Sequence, residues 1–332
     1  MSAKSSTSKA VNGQNGSVNP LHKQYGGIHT GKWVDRLPSS WIPYIQLARL
    51  SPPAPVLLIY FPHLFGIIYG AIVTKSSVHD TLSMAGLLLG GSLFFSNAAH
   101  GWDDFVDEPI DKLIVRTQKR PIVRGAISSR AAFIFTAIQA IMTAGFLIPL
   151  PPRTALYALG TAIGTTYYPF AKRHINAPQA VLGYCLANGI AVGAAAMGAD
   201  PMENYAVACL VGASALWSII YDTVYASIDM KDDIRLGIGS TAVLFGSQMK
   251  FWMYVLLGIF AGLLGAAGQI SGFGLPYYLI SILGAGLTMA VMIAKVELQN
   301  GLSCWWWFTY SFWFVGGSIT IGLLTEYVPL IL

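Results

Sequence analysis

Nine of the fifteen acidic residues crowd into two short segments, Asp103, Asp104, Asp107, Glu108 and Asp111 in one and Asp222, Asp229, Asp232 and Asp233 in the other. Asp103, Asp107 and Asp111 recur every four residues, and Asp222, Asp229 and Asp233 follow at seven and four, so each set places its carboxylates on one helical face. Pro109 disfavours helix at Glu108 and removes a backbone hydrogen bond, which puts Asp111 just past a break. Stacked like charges repel, and more strongly once desolvated, so something positive must sit among them. Calcium or magnesium suits such hard oxygen ligands, and magnesium characteristically joins one or two carboxylates to substrate phosphates. Lys112, Arg116, Lys119, Arg120 and Arg124 follow the first cluster directly, and Lys172 and Arg173 lie on the next polar stretch. Carboxylates, a divalent metal and a set of arginines together make a diphosphate site.

The rest of the chain has to hold these charges in an apolar body. Of its 332 residues 54% are hydrophobic and 11% charged, with a mean hydropathy of +0.56, against roughly 25% charged in soluble domains. That excludes an ordinary soluble protein. Nine segments approach the roughly 20 apolar residues of a spanning helix: 55–74, 82–99, 131–150, 154–170, 179–198, 205–221, 251–269, 275–294 and 305–324. The expected fold is an all-α, multi-pass membrane protein of about nine transmembrane helices. Glycine and alanine within the spans, as from Gly189 to Gly198, suit close packing in lipid, and Trp305, Trp306 and Trp307 suit an interfacial belt.

With the amino terminus counted as inside, all of the twenty lysines and arginines except Lys75 and Arg153 fall on that side, as do both acidic clusters. This predicts a cytosolic amino terminus. Residues 1–43 read as a disordered cytosolic tail rich in Ser, Asn, Gly and Lys, and 44–332 as the transmembrane domain. The tail lacks the apolar run of a signal peptide, and its first arginine is Arg36, unlike an Arg-rich mitochondrial presequence. The net charge of +5 and pI near 9.0 match positive cytosolic loops; with no basic run interleaved with aromatics, nucleic acid is set aside. Cys185, Cys209 and Cys304 lie in apolar stretches without metal-ligand spacing and read as packing residues. His63 and His100 read as packed or interfacial side chains.

Two charge clusters at the ends of spans on the same membrane face are more than solvated loops marking its edge. A transporter would carry ionisable residues near the bilayer midplane, where these spans have almost none. A lipid-head-group phosphotransferase would show a different aspartate spacing, and a scaffold has no reason to tolerate so many clustered acids.

The motifs resemble those of the UbiA superfamily of intramembrane aromatic prenyltransferases. The first, NDxxDxxxD followed by RTxxRP, stands here as Asp103-Asp104-Phe-Val-Asp107-Glu-Pro-Ile-Asp111 and Arg116-Thr117-Gln-Lys-Arg120-Pro121. The second, YDxxYAxxDxxDD with a downstream GxxST, stands as Tyr221-Asp222-Thr-Val-Tyr225-Ala-Ser-Ile-Asp229-Met-Lys-Asp232-Asp233 and Gly237-Ile-Gly-Ser240-Thr241. Between them Tyr168-Pro169-Phe-Ala-Lys172-Arg173 and Pro178-Gln179 resemble the family's YPxxKR and PQ segments, and Asn188 matches an asparagine on the following helix. The resemblance runs from about Arg49 to the last span. Two departures stand out. Asp103 replaces the usual leading asparagine, and Arg49-Leu-Ser51-Pro52-Pro53-Ala-Pro55 lacks the lysine and glycine of the RLxKPxG segment typical of 4-hydroxybenzoate transferases.

The resemblance implies a bundle with a central cavity, and transfer of an isoprenyl group from its diphosphate to a ring carbon of a phenol. It implies Mg²⁺ held by Asp103, Asp107 and Asp111 on one side and Asp229 and Asp233 on the other. Lys112, Arg116, Arg120, Lys172 and Arg173 would take the diphosphate, Arg49 would lie on the acceptor side, and Asp222, Tyr225 and Asn188 at the reacting centre. The sequence looks similar to fungal enzymes that farnesylate polyketide-derived phenolic acids in meroterpenoid biosynthesis. The expected partners are therefore farnesyl diphosphate, a phenolic acid and the lipid of the endoplasmic reticulum or another endomembrane. The alternative is 4-hydroxybenzoate polyprenyl transfer in ubiquinone biosynthesis.

Overall fold

The computed structural model describes residues 27, 28, 31, 33–51 and 53–332, so most of the tail expected over 1–43 lies outside the described residues. Within its last part Val34–Arg36 forms a 3₁₀ turn whose Val34 is buried. The described residues form α-helices joined by short turns, with no strand. In chain order the helices are α1 (Ile42–Leu47), α2 (Ala54–Thr74), α3 (Val78–Val106), α4 (Glu108–Asp111), α5 (Ser129–Gly145), α6 (Pro152–Ala171), α7 (Pro178–Ala187) and α8 (Gly189–Ala196). They continue as α9 (Tyr205–Ala226), α10 (Met230–Leu236), α11 (Thr241–Phe245), α12 (Met249–Ser271), α13 (Leu275–Tyr277), α14 (Ala285–Lys295) and α15 (Gly301–Tyr327), with a π-helical stretch, Tyr278–Gly284, before α14.

Each of the nine apolar segments is helical. By length and composition, 7 stretches among the described residues can cross a membrane: Ala54–Thr74, Val78–Val106, Pro178–Ala196, Tyr205–Ala226, Thr241–Ser271, Leu275–Lys295 and Gly301–Leu330. The expected count of nine is met as helices but not as spans. At 17 residues α5 is short, and Thr161, Thr165, Thr166, Tyr167 and Tyr168 dilute the hydropathy of α6. Helix starts are set by side-chain caps: Ser77 on α3, Ser128 on α5, Asn204 on α9 and Asn300 on α15 each accept a hydrogen bond from a first-turn N–H.

Glycines let α2 and α8 approach closely. A Cβ on Gly66 would lie 2.1 Å from the Ile190 carbonyl oxygen, and one on Gly193 2.3 Å from that of His63. Gly66 and Gly70 are four apart, as are Gly189 and Gly193, so each helix presents a small-residue stripe to the other. Beside this pair α9 packs on α7 and α12, and α15 on α2. Phe65, Trp217, Phe260, Tyr277 and Phe312 fill the interior. The outward faces stay apolar, with Ile141, Ile163, Leu156, Phe314 and Trp306 exposed, as expected of a body solvated by lipid.

The glycine contact gives a direct stability test. Gly193→Ala overpacks the α2–α8 interface and should cost about 1–3 kcal/mol, read as a lower midpoint of thermal unfolding in detergent. Gly286→Ala, where a Cβ meets nothing within 4 Å, should leave the midpoint in place or raise it slightly.

Candidate active site

The first acidic cluster sits where α3 ends. Asp107 caps α3 with its N–H on the Asp103 carbonyl at 2.9 Å, and the Asp111 N–H reaches the Asp107 carbonyl at 2.8 Å. Helical spacing therefore carries through the junction. The break expected from Pro109 is taken up by a new helix, α4, with the proline in its first turn. The second cluster is built alike: α9 ends at Ala226, Asp229 precedes α10, and the Asp233 N–H bonds the Asp229 carbonyl at 2.9 Å. Gly237 closes α10 at φ 68°, a left-handed position that suits glycine. The chain then returns to the loop after α6, where the Gly239 N–H meets the Lys172 carbonyl at 3.0 Å and the Thr241 N–H the Gln179 Oε1 at 2.9 Å. The GxxST and PQ segments thus tie the second cluster to the loop that carries Lys172.

A cavity of about 250 Å³ opens between the clusters. Its acidic lining is Asp103, Asp107, Asp111, Asp222, Asp229 and Asp233; its basic lining is Arg49, Arg116, Arg120 and Lys172. Arg116 crosses from one cluster to the other. Its Nε lies 3.0 Å from both Asp229 oxygens, its Nη2 2.6 Å from Oδ2, and its Nη1 donates to the Tyr225 hydroxyl at 2.7 Å. Arg120 Nη1 reaches Asp111 at 2.7 Å and Asp104 at 2.9 Å. Lys172 Nζ reaches Asp107 at 2.6 Å and Asp103 at 3.3 Å.

Burial opposes charge on Lys172 and Arg120, but the carboxylates beside them outweigh it and hold both well above their ordinary pKa. The acids are not fully compensated in return. Burial, with Asp229 adding to it, pushes Asp233 up to about 7. Burial pushes Asp111 up to about 6 despite Arg120.

Not every expected site residue comes to the cavity. Lys112 turns outward onto Glu108 at 2.9 Å, with 53% of its side chain exposed. Arg173 stays at the rim, reaching Asp107 at 3.3 Å and the Val106 carbonyl at 3.2 Å. Asn188 is a structural tie: its Nδ2 donates to the Tyr157 carbonyl at 2.8 Å and the Thr161 hydroxyl at 2.9 Å, pinning the α7–α8 junction to α6. An asparagine in an apolar helix must satisfy its amide, and α6 supplies both acceptors. Asp104 has a side chain with no exposed surface, paired with Arg49 at 2.8 Å. Tyr168, Trp217, Tyr221 and Phe308, which carried no site assignment, wall the cavity beside Tyr225. A pattern search for charge could not have found them.

Among the described residues no three acidic, histidine or cysteine side chains converge as they would on a bound metal; Arg120 and Lys172 each bridge carboxylates of the first cluster instead. The donor chemistry nevertheless fits a hard cation. The cavity's carboxylates outnumber its basic side chains, Asp233 has no ion pair among the described residues, and a diphosphate would deepen the deficit.

The UbiA prenyltransferase family profile matches residues 61–316. The chain is 34% identical over 309 residues to the 4-hydroxybenzoate polyprenyltransferase, mitochondrial, of Saccharomyces cerevisiae, covering 90% of this chain and 80% of that one. It is 31% identical over 321 residues to prenyltransferase stbC of Stachybotrys bisbyi, covering 93% and 96%. The solved structure of a UbiA homolog from Archaeoglobus fulgidus bound to GPP and Mg²⁺ superposes with a TM-score of 0.63 at 18% identity, over 87% of this chain and 99% of that one.

The two kinds of basic residue separate experimentally. Arg116→Gln leaves the half-buried Asp229 without its ion pair and should cost about 2 kcal/mol, read by thermal unfolding in detergent. Lys112→Gln removes an exposed pair and should stay within about 0.5 kcal/mol.

Proposed function

The chain belongs to the UbiA prenyltransferase family, and on that premise we propose that it transfers a farnesyl group from farnesyl diphosphate to a ring carbon of a polyketide-derived phenolic acid. The observation that carries this reading is one cavity lined by Asp103, Asp107 and Asp111 of the first cluster, Asp222, Asp229 and Asp233 of the second, Arg116, Arg120, Lys172 and Arg49, with aromatic rings beside them. Asp103, Asp107 and Asp111 on one side and Asp229 and Asp233 on the other would hold Mg²⁺. When bound, the metal supplies positive charge that neutralises the diphosphate as it departs.

The protein's own groups do the rest. Arg116 and Lys172 exchange carboxylate partners for phosphate oxygens, and Arg120, still held by Asp104, offers its unpartnered Nε, so the leaving group meets preorganised charge as the allylic C–O bond breaks. Arg173, at the rim, screens the same charge from outside. The rings of Tyr168, Trp217, Tyr225 and Phe308 face the allylic cation and exclude water from it. An adjoining apolar cavity of about 490 Å³ between α3, α5 and α6 shares Phe95, Ala99 and Thr165 with the first and takes the isoprenoid chain. Arg49 is 5% exposed, and its Nη1 is buried without a hydrogen-bond partner, a donor suited to the acceptor's carboxylate. The ring carbon bonds to the allylic carbon, and the proton it loses passes to Asp222, which lines the cavity without an ion pair among the described residues. Tyr225 holds Arg116 through its hydroxyl.

The second reading is a 4-hydroxybenzoate polyprenyltransferase, favoured by the 34% identity to the yeast protein. Against it stands the Arg49–Pro55 segment, which lacks the lysine and glycine typical of those enzymes. The same cavity serves either donor. We place the protein in an endomembrane with its amino terminus cytosolic, on the basic residues that gather at the charged face.

Membranes containing the protein, incubated with geranyl, farnesyl and geranylgeranyl diphosphates against a panel of phenolic acids and read by mass spectrometry, should yield a C-farnesylated phenolic acid. Preference for 4-hydroxybenzoate with a longer donor would replace the first reading by the second. Chelation of magnesium should abolish product, and Asp107→Ala or Asp229→Ala should lower kcat by at least about a thousandfold; normal turnover by either variant would remove the metal roles. Arg49→Lys should raise KM for a carboxylated phenol while leaving a phenol without the carboxylate unaffected.

A further inference from the structure

Asp104 lies in the middle of the first acidic cluster but does not line the cavity. Its side chain has 0% exposure. One oxygen, Oδ1, takes Arg49 Nη2 at 2.8 Å and Arg120 Nη1 at 2.9 Å, so two guanidinium groups meet on a single carboxylate atom. Both of those arginines do line the cavity. They come from distant parts of the chain, Arg49 from the turn after α1 and Arg120 from the loop after α4. Arg49 is also one of two non-glycine residues at positive φ among the described residues, at 52°, a backbone arrangement that the surroundings must enforce.

The remaining atoms show how specific this arrangement is. Asp104 Oδ2, Arg49 Nη1 and Arg120 Nε are all buried without hydrogen-bond partners. A carboxylate placed for stability alone would use both oxygens, since a buried unpaired polar atom is unfavourable. Here one oxygen fixes the separation of two like charges, and each arginine keeps a nitrogen that Asp104 does not use. Without the carboxylate the two cations would repel across a poorly solvated gap.

We infer that Asp104 is a positioning residue that couples the acceptor side of the cavity to the diphosphate side by holding Arg49 and Arg120 at a fixed separation. It thereby sets where the acceptor ring lies relative to the donor's allylic carbon. This rests on the reading that Arg49 meets the acceptor and Arg120 the diphosphate. It also separates Asp104 from its neighbours Asp103 and Asp107: the latter face the cavity, and Asp104 acts through the two arginines.

The test is steady-state kinetics of full-length Asp104→Asn in membranes, with both substrates and Mg²⁺ varied. The expected result is a rise of about tenfold in KM for the acceptor and for the diphosphate, as for a residue that acts through others without touching either substrate, with the half-saturating Mg²⁺ concentration unchanged. In an Arg49→Lys background the same substitution should add little to the acceptor KM, because the two changes break one interaction. A purely structural role would lower the amount of folded protein and leave both constants and their coupling in place. Unchanged KM values in folded Asp104→Asn, or a shift confined to the Mg²⁺ requirement, would overturn the inference. If that variant does not accumulate, Asp104→Glu is read by the same criteria, since the longer side chain alters the spacing while keeping the charge. The underlying reading fails separately: Arg49→Lys without effect on the acceptor KM removes the acceptor assignment, whereas an effect of Arg49→Lys with none of Asp104→Asn removes the positioning role.

Discussion

The Arg116 guanidinium, bound to Asp229 through three contacts of 3.0 Å or less while also donating to Tyr225, joins the two halves of the charged face. Charge of this density is costly to bury, and most of it persists because the cavity's acids other than Asp222 and Asp233 are paired with a base from another segment. Arg116 ties the loop after α4 to α9 and α10, Lys172 ties α6 to the end of α3, and Arg120 gathers three carboxylates of the first cluster. The pairs hold the cavity together before any substrate arrives. They also explain how one set of residues can serve both stability and chemistry. On the proposed reading the bases would gain phosphate oxygens and the acids a divalent cation, so the pairs could exchange without leaving a charge unmatched.

Behind this face the body is apolar and closely packed. The glycine stripes of α2 and α8 bring backbones into contact where no aqueous hydrophobic effect drives association, and the aromatic interior around Trp217, Phe65 and Phe312 fills the space above the cavity. The body thus supplies rigidity and a dry wall, and the charged face supplies recognition. Ionisation of an allylic diphosphate needs both, since the anion must be neutralised and the cation kept from water.

Much of this was legible in the sequence for physical reasons. Apolar runs mark helices, and the nine runs fall on helices, seven of them long and apolar enough to span a membrane. The four-residue recurrence of Asp103, Asp107 and Asp111 survived the proline because a helix tolerates proline in its first turn, so a new helix began there. Other features were not legible. Asp104 and Asp103 are adjacent and chemically identical, yet a 100° turn of the helix sends one inward to two arginines and the other to the cavity. Lys112 and Arg116 are four residues apart in one basic run, but the chain leaves helix between them, and the first ends in solvent while the second crosses the site. Asn188 matched a motif position and proved to be a tie between helices, because a polar side chain in an apolar helix bonds whatever acceptor lies nearest. Partner choice depends on tertiary direction, which spacing alone does not encode.

On the proposed function, the basic residues that clamp the acids are the ones that receive the diphosphate. The most direct measurement is an experimental structure with Mg²⁺ and a non-hydrolysable farnesyl diphosphate analogue bound. Arg116 and Lys172 nitrogens should lie on phosphate oxygens, with Asp229 and Asp107 released to the metal. Arg116 still paired with Asp229 while the diphosphate lies elsewhere would contradict it.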